Sequence, residues 1–263
     1  MVGRYAIYAA PGVRSADPVG VLLGQKAEQW LGRSVRSHPV HPGAPVGWTR
    51  AAVDAMTVNA RRYGFHATLK PPFRLADGRT PEELDAAVAR FAAGAAAVVI
   101  PQLTLARLGG FFALVPGTQA PALHALADAV VMAFDDFRAP ATEAELARRD
   151  QARLTPRQRE LLSAWGYPFV LEEFGFHLTL TDRIPREQRP AVERVLSDWF
   201  AELLGADLPV DALGVFTEAE PGAPFELSSV HHLQPAPARP SRPITKEFDE
   251  SRNGPQQRPP RPR

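Results

Sequence analysis

Apolar residues recur along this chain with two periods, and segments of the two kinds alternate. "RYAIYAAP" (4–11) has the period of a short strand, with Tyr5 and Ile7 on one face and Arg4 and Tyr8 on the other. A helix is expected over about 17–31, followed by the Pro/Gly-rich loop "SHPVHPGAP" and a helical turn or two at 49–55. "TPEELDAAVARFAAG" carries full helix punctuation. Thr80 is its N-cap, Pro81 its first residue, Glu83 its capping-box partner and Gly94 its stop, with Leu84, Val88 and Phe91 as the apolar stripe. Two strands follow, "IPQLTLARL" and "FFALVP", joined at Gly109-Gly110, and then a helix over about 119–134. Residues 136–170 read as a helical insertion in which "TEAELARR" and "TPRQRELLSAWG" each open on an N-capping threonine. The pattern then restarts. "FGFHLTLT" is a strand, "EQRPAVERVLSDWFAELLG" a helix with Val192, Val195, Leu196 and Trp199 on one side, and "LPVDALGVF" and "PFELSSVHHL" are two more strands.

The order strand, helix, strand, strand therefore occurs twice, led by "FHATLK" (65–70) and by "FHLTLT" (176–181). Read with period two, Phe65, Ala67 and Leu69 share one face, while His66, Thr68 and Lys70 share the other. In the second copy Phe176, Leu178 and Leu180 oppose His177, Thr179 and Thr181. The apolar face must rest on a core, under the helices of its own lobe. The polar face looks outward, with histidine and threonine about 6–7 Å apart along the strand. Gly64 and Gly175 precede the aromatic in both copies, as a close backbone approach or a bulge at the strand entry would require.

Copies related by a pseudo-twofold axis would turn their polar faces toward one cleft. Two imidazoles and two hydroxyls would then surround a shared point. Imidazole titrates nearest physiological pH, so one ring can accept a proton while the other gives one. Threonine hydroxyls can donate to phosphoryl oxygens without adding charge. That set suits in-line attack on a cyclic phosphodiester, and the need for base and acid on opposite sides of phosphorus is a reason to write the motif twice.

Composition narrows the setting. The hydrophobic share is 45%, and no apolar run reaches the roughly 18 residues that cross a bilayer, so no membrane partner is expected. The first residues, "MVGRYAIYAAPG", lack the apolar stretch and cleavage site of a signal peptide, and there is no cysteine for a disulfide framework or a thiolate zinc site. A cytoplasmic enzyme is the expectation. From Gln234 onward there are seven Lys/Arg against three Asp/Glu, a charge of +4, which leaves −3 on residues 1–233. A slightly acidic body argues against holding a long nucleic acid and leaves room for a small phosphorylated ligand. Residues 234–263, rich in Pro and Arg, are expected to be a disordered tail. His38 and His41 lie in a proline-rich loop without a carboxylate pair, and His124, His231 and His232 read as solvated rim positions. No metal site and no cofactor motif is apparent, and nothing matches a phosphate-cradling glycine loop.

The pair "HATL" and "HLTL" resembles the H-x-[Ser/Thr]-x signatures of the 2H phosphoesterase superfamily, whose LigT-like fold is a bilobed, duplicated α+β sheet. More narrowly, "RYAIYAAP", "RYGFHATLKPPFRL", "LARLGGFFALVP", "FRAP" and "LTPRQRELLSAWGYPFVLEEFGFHLTL" resemble the DUF1045 family, linked to phosphonate utilisation. The resemblance runs from Arg4 to about Leu233 and implies one bilobed α+β domain over 1–233 with a central cleft. It implies His66 and His177 as the catalytic pair and Thr68 and Thr179 as phosphate ligands. Lys70, Arg4 and Tyr8 are candidate substrate-binding residues on neighbouring strands. Phosphonate breakdown by the carbon–phosphorus lyase route passes through a cyclic ribose phosphate, so the resemblance implies a cyclic phosphodiester of a phosphorylated ribose as substrate. Two alternatives stay open at this point: a phosphate- or nucleotide-binding module without turnover, and an RNA-end cyclic phosphodiesterase or ligase.

Overall fold

A computed structural model describes residues 3–36, 38–143, 145 and 154–235. Its organisation is clearest at its smallest sheet. Strand β3 (Val98–Ile100) pairs antiparallel with β7 (Leu208–Val210), Val99 opposite Pro209. These are equivalent strands of the two repeats, and an antiparallel pair of equivalents is what a twofold axis through Val99 and Pro209 produces.

Two larger antiparallel sheets lie about that axis. One has the order β2-β1-β8-β9, from β1 (Arg4–Ala9), β2 (Ala67–Phe73), β8 (Ala212–Glu218) and β9 (Phe225–His232). The other has the order β4-β5-β6, from β4 (Thr104–Leu108), β5 (Phe111–Val115) and β6 (Leu178–Thr179). The hairpins are exchanged between repeats. The hairpin β4-β5 of the first repeat joins the second motif strand, and β8-β9 of the second repeat joins the first. Each motif strand thus depends on the other half of the chain for its sheet. The first sheet alone contains β1, wedged between β2 and β8.

Helices cover the apolar faces. They are α1 (Pro18–Leu31), α2 (Arg50–Ala55), α3 (Val58–Tyr63), α4 (Pro81–Gly94), α5 (Pro121–Ala133), α6 (Pro156–Trp165) and α7 (Arg189–Trp199). The capping box of α4 forms in both directions, Glu83 N–H to Thr80 Oγ1 at 3.2 Å and Thr80 N–H to Glu83 Oε2 at 3.0 Å. Thr155 and Gln158 repeat it on α6. Helix α4 packs on β8 and β9 and α5 on β2, so the core under the first motif strand does come from its own repeat, while the neighbouring hairpin does not. Phe65, Ala67 and Leu69 join Phe176, Leu178 and Leu180 in one core cluster with Ile7, Trp30, Val88, Val130 and Leu196, which places the apolar faces as the alternation required.

Several sequence expectations differ from this structure. Helix α3 is absent from the sequence reading. "FGFHLTLT" is a paired strand only at Leu178–Thr179, because the N–H groups of both Leu180 and Thr181 turn to the one carbonyl of Phe112. His231 is no solvated rim residue: it lies 2.8 Å from Asp85 and 3.1 Å from Ser229, between α4 and β9. Most of the expected 142–149 helix and residues 236–263 of the tail lie outside the described residues.

Candidate active site

The imidazoles are set by one device used twice. Nδ1–H of His66 donates to the Gly64 carbonyl at 2.9 Å, and Nδ1–H of His177 donates to the Gly175 carbonyl at 2.7 Å. A carbonyl only accepts, so each ring carries a proton on Nδ1 and leaves Nε2 for the cleft. Both glycines therefore serve the histidine two residues on. Gly64 is held by geometry as well: it ends α3 at φ 76°, and a Cβ there would stand 2.2 Å from Val35 Cγ1.

His66, Thr68, His177 and Thr179 converge on connected cavities with shared walls. One, of about 400 Å³, lies against His66, Tyr63, Phe111, Thr179, Asp182 and Arg183. A second, of about 640 Å³, runs along Thr68, His177 and the aromatic rings of Phe111, Tyr167, Phe169 and Phe174. A third, of about 250 Å³, brings Arg4, Tyr8, Tyr63, His66, Thr68 and Thr179 together. Thr68, from the first motif, thus meets His177 in one cavity and Thr179 in another, so the motif faces share a cleft.

Burial lowers the pKa of His66 to about 4, further than its bond to Gly64 raises it, and the nearby His177 lowers it again. Its ring is stacked on Tyr8 with centroids 3.9 Å apart and an interplanar angle of 25°. Nε2 takes a 3.2 Å hydrogen bond from Thr68 Oγ1. His66 is therefore neutral across the physiological range, with its lone pair on the cleft side of the strand.

Arg4 and Tyr8 reach the cleft. Lys70 does not. A bulge at Leu69 sets Lys70 opposite Ile7, on the core face, where only 2% of its side chain is exposed. Its Nζ donates to the Val131 carbonyl and to Asp135 Oδ1, both at 3.1 Å. Burial lowers its pKa, and Asp135 opposes that. Thr181 lines the 400 Å³ cavity but also accepts the Phe112 N–H at 3.0 Å, in place of a ladder carbonyl. The Lys70/Thr181 difference between the motifs is thus mainly structural.

Sequence reading missed several residues here. Asp182 caps α3 from across the cleft, accepting the N–H groups of Asn59 and Ala60 at 3.0 Å, and its own N–H donates to Met56. The exposed Arg183 borders two of the cavities, and Tyr63 and Tyr167 complete the walls. The doubled G-F-H was the available signal for the ring anchors. For the remainder the signal was only adjacency to the motifs, with Tyr63 just before the first and Asp182-Arg183 just after the second. Among the described residues no three His, Asp or Glu side chains gather as a metal site, and His38 is engaged by Ser34 at 3.0 Å.

The fold is α+β, and the chain belongs to DUF1045, described as a protein of unknown function, whose family model matches residues 68–226. The resemblance read from the motif blocks therefore holds. Among curated proteins, two named ribose 1,5-bisphosphate phosphokinase PhnN are similar to it. That of Janthinobacterium sp. (strain Marseille) is 38% identical over 227 residues, covering 84% of this chain and 49% of that protein. That of Laribacter hongkongensis (strain HLHK9) is 34% identical over 226 residues, covering 85% and 50%. The chain spans about half the length of these relatives. Solved structures with a similar outline include a phosphoesterase (TM-score 0.39, 14% identity, 89% of this chain and 99% of that one) and E. coli LigT complexed with 3'-AMP (TM-score 0.36, 12% identity, the same coverage). Among the described residues no helix is long and apolar enough to cross a membrane.

Proposed function

We propose that this chain is a phosphodiesterase that opens a small cyclic phosphate, in phosphonate utilisation as its family resemblance implies, with two imidazoles as base and acid. The observation that carries this is the matched anchoring of His66 and His177. Each is fixed through Nδ1 to a glycine carbonyl, and each lines a cleft shared with Thr68 and Thr179. His66, held neutral, accepts the proton of an attacking water at Nε2. The water oxygen bonds to phosphorus as one ring P–O bond breaks. The departing oxygen takes a proton from Nε2 of a protonated His177 and becomes a hydroxyl. Thr68, whose hydroxyl turns from His66 Nε2 to the bound phosphate, and Thr179 donate to the non-bridging oxygens. His66 ends with one proton more and His177 with one fewer, and exchange with solvent resets them.

The favoured substrate class is a cyclic phosphodiester of a phosphorylated ribose. The relatives are named for ribose 1,5-bisphosphate, and opening a 1,2-cyclic phosphate of ribose 5-phosphate at the bond to O2 yields that compound. The kinase in those names is assigned to the part of the relatives outside the match, since this sequence has no Gly-x4-Gly-Lys-[Ser/Thr] loop for a nucleoside triphosphate. A second reading, a nucleoside 2',3'-cyclic phosphate as at an RNA end, draws on the 640 Å³ aromatic cavity beside His177, which suits a stacked base.

Both are tested by turnover of the two cyclic phosphates with a chelator present. His66→Ala and His177→Ala are each expected to lower the rate by roughly 10² or more. An unchanged rate in either variant removes that histidine from the chemistry, and a preference for the nucleoside compound selects the second reading.

A further inference from the structure

The two halves of the cleft are not equivalent. The His/Thr pairs obey the pseudo-twofold, but β1 belongs to the first sheet only and among the described residues has no counterpart beside β6. What β1 adds is therefore given to one half of the cleft only. What it offers, on the face opposite Tyr5 and Ile7, is Arg4 and Tyr8.

Tyr8 is entirely buried, and its hydroxyl finds no hydrogen-bond partner among the described residues. A buried hydroxyl without a partner is costly and is conspicuous in a folded protein. This one belongs to a side chain that lines the cleft, and its environment keeps it protonated, because burial pushes its pKa well up. Arg4 beside it gives Nε to Glu218, whose side chain is fully buried. Glu218 also accepts the Gly222 N–H at 3.0 Å and lies 4.0 Å from Nη1 of Arg62. Two guanidinium groups thus face one carboxylate, and the surplus is positive. Arg62 has a buried Nε with no partner among the described residues, and its Nη2 donates to Tyr63 Oη at 2.7 Å, which leaves the Tyr63 proton free to donate elsewhere. Among the described residues no acidic side chain lines this cavity.

We propose that the β1 end of the cleft is a second anion subsite, where Tyr8 Oη, Tyr63 Oη and Arg4, with Arg62 behind them, hold a phosphomonoester on the substrate at the end away from the reacting phosphorus. This rests on the cyclic phosphodiesterase reading and specifies its substrate as doubly phosphorylated. The scale agrees. Arg4, Tyr8 and Tyr63 line the same cavity of about 250 Å³ as His66, Thr68 and Thr179, so the two anion sites lie within one sugar of each other, a span that fits a sugar bisphosphate and not a polymer.

The test uses Tyr8→Phe, which keeps the stack on His66 and removes only the hydroxyl. Arg4 is a poorer target, since its loss strands buried Glu218. With ribose 1,2-cyclic phosphate offered with and without a 5-phosphate, the parent protein is expected to favour the phosphorylated form at least tenfold in kcat/KM. Tyr8→Phe should cut that ratio at least fivefold while its Tm is equal or higher, because an unpartnered hydroxyl has left the interior. Turnover without preference for the 5-phosphate, or a preference that Tyr8→Phe does not alter, overturns the subsite and leaves the phosphodiesterase reading standing. Should neither compound turn over, that reading fails, and calorimetry with ribose 5-phosphate decides the subsite. At least fivefold weaker binding to Tyr8→Phe supports it, and equal binding or none overturns it.

Discussion

His66 concentrates the chemistry of the site into one titration. An ordinary imidazole would be half protonated at pH 6.5, but burial lowers this one to about 4. For the folded protein the consequence has a definite sign. Between pH 6.5 and 4 the unfolded chain binds a proton that the native state refuses, so stability falls as pH falls through that window. The loss is complete below about 4, and at ~1.4 kcal/mol per pKa unit it reaches about 3–4 kcal/mol at most. His66→Gln should flatten that part of the denaturation profile, measured as Tm between pH 4 and 7. In the proposed catalysis the same depression means that the base stays competent in mild acid. The kcat/KM profile is expected to keep its acid limb near pH 4, and a limb at 6.5 that disappears in His66→Gln would assign His66 an ordinary pKa and remove this argument. The residues themselves were legible in the sequence, since the doubled F-H-x-T with glycine before it marks both rings. The protonation of His66 was not, because it depends on burial, to which Tyr8 contributes by stacking on the ring from a strand nearly sixty residues earlier.

At the scale of elements, the period-two reading held for the apolar faces and broke at one residue. Lys70 was expected beside Thr68, and the bulge at Leu69 carries it to Asp135 instead. Alternation counts residues, and a bulge adds one to the count without any mark in the local sequence. Helix α3 escaped for a related reason. Its N-cap Thr57 makes no capping bond and spends its hydroxyl on the Val53 carbonyl, while the cap comes from Asp182, 123 residues after Asn59. That long-range cap gives Asp182 a positioning role. Helix α3 runs straight into Gly64 and His66, and Asp182 follows the second motif, so one carboxylate sets the distance between the two motifs. Asp182→Ala is expected to cost about 1 kcal/mol in stability, as lost caps do. It should also lower kcat by roughly tenfold with KM little changed, because the proposed base is displaced while the binding groups remain. Asp182→Asn, which keeps an accepting oxygen, should recover part of both. A kcat that follows only the loss of folded protein would reduce Asp182 to a structural cap.

At the scale of the whole molecule, the duplication could be read from the chain and the exchange could not. A repeat announces itself through matching residues, whereas the partner a hairpin chooses depends on contacts between distant segments, such as Arg4 opposite Glu218 across β1 and β8. Exchange has a mechanical consequence. Residues 1–140 contain β1 and β2 without β8-β9, and β4-β5 without β6, so all of their sheets lack a member; residues 141–235 are left with the complementary gaps. Unpaired edges and half a core cannot offset the entropy of ordering either half. Each fragment alone is therefore expected to melt without a cooperative transition by circular dichroism, and an equimolar mixture to regain one, because the halves supply each other's strands. The same interlock explains how the cleft stays aligned: the two imidazoles sit on opposite sheets, but every sheet is built from both repeats, so the lobes cannot drift apart without breaking strand pairing. A fragment of residues 1–140 that unfolds cooperatively by itself would show that the first repeat closes its own sheet, and the alignment of His66 with His177 would then need another cause.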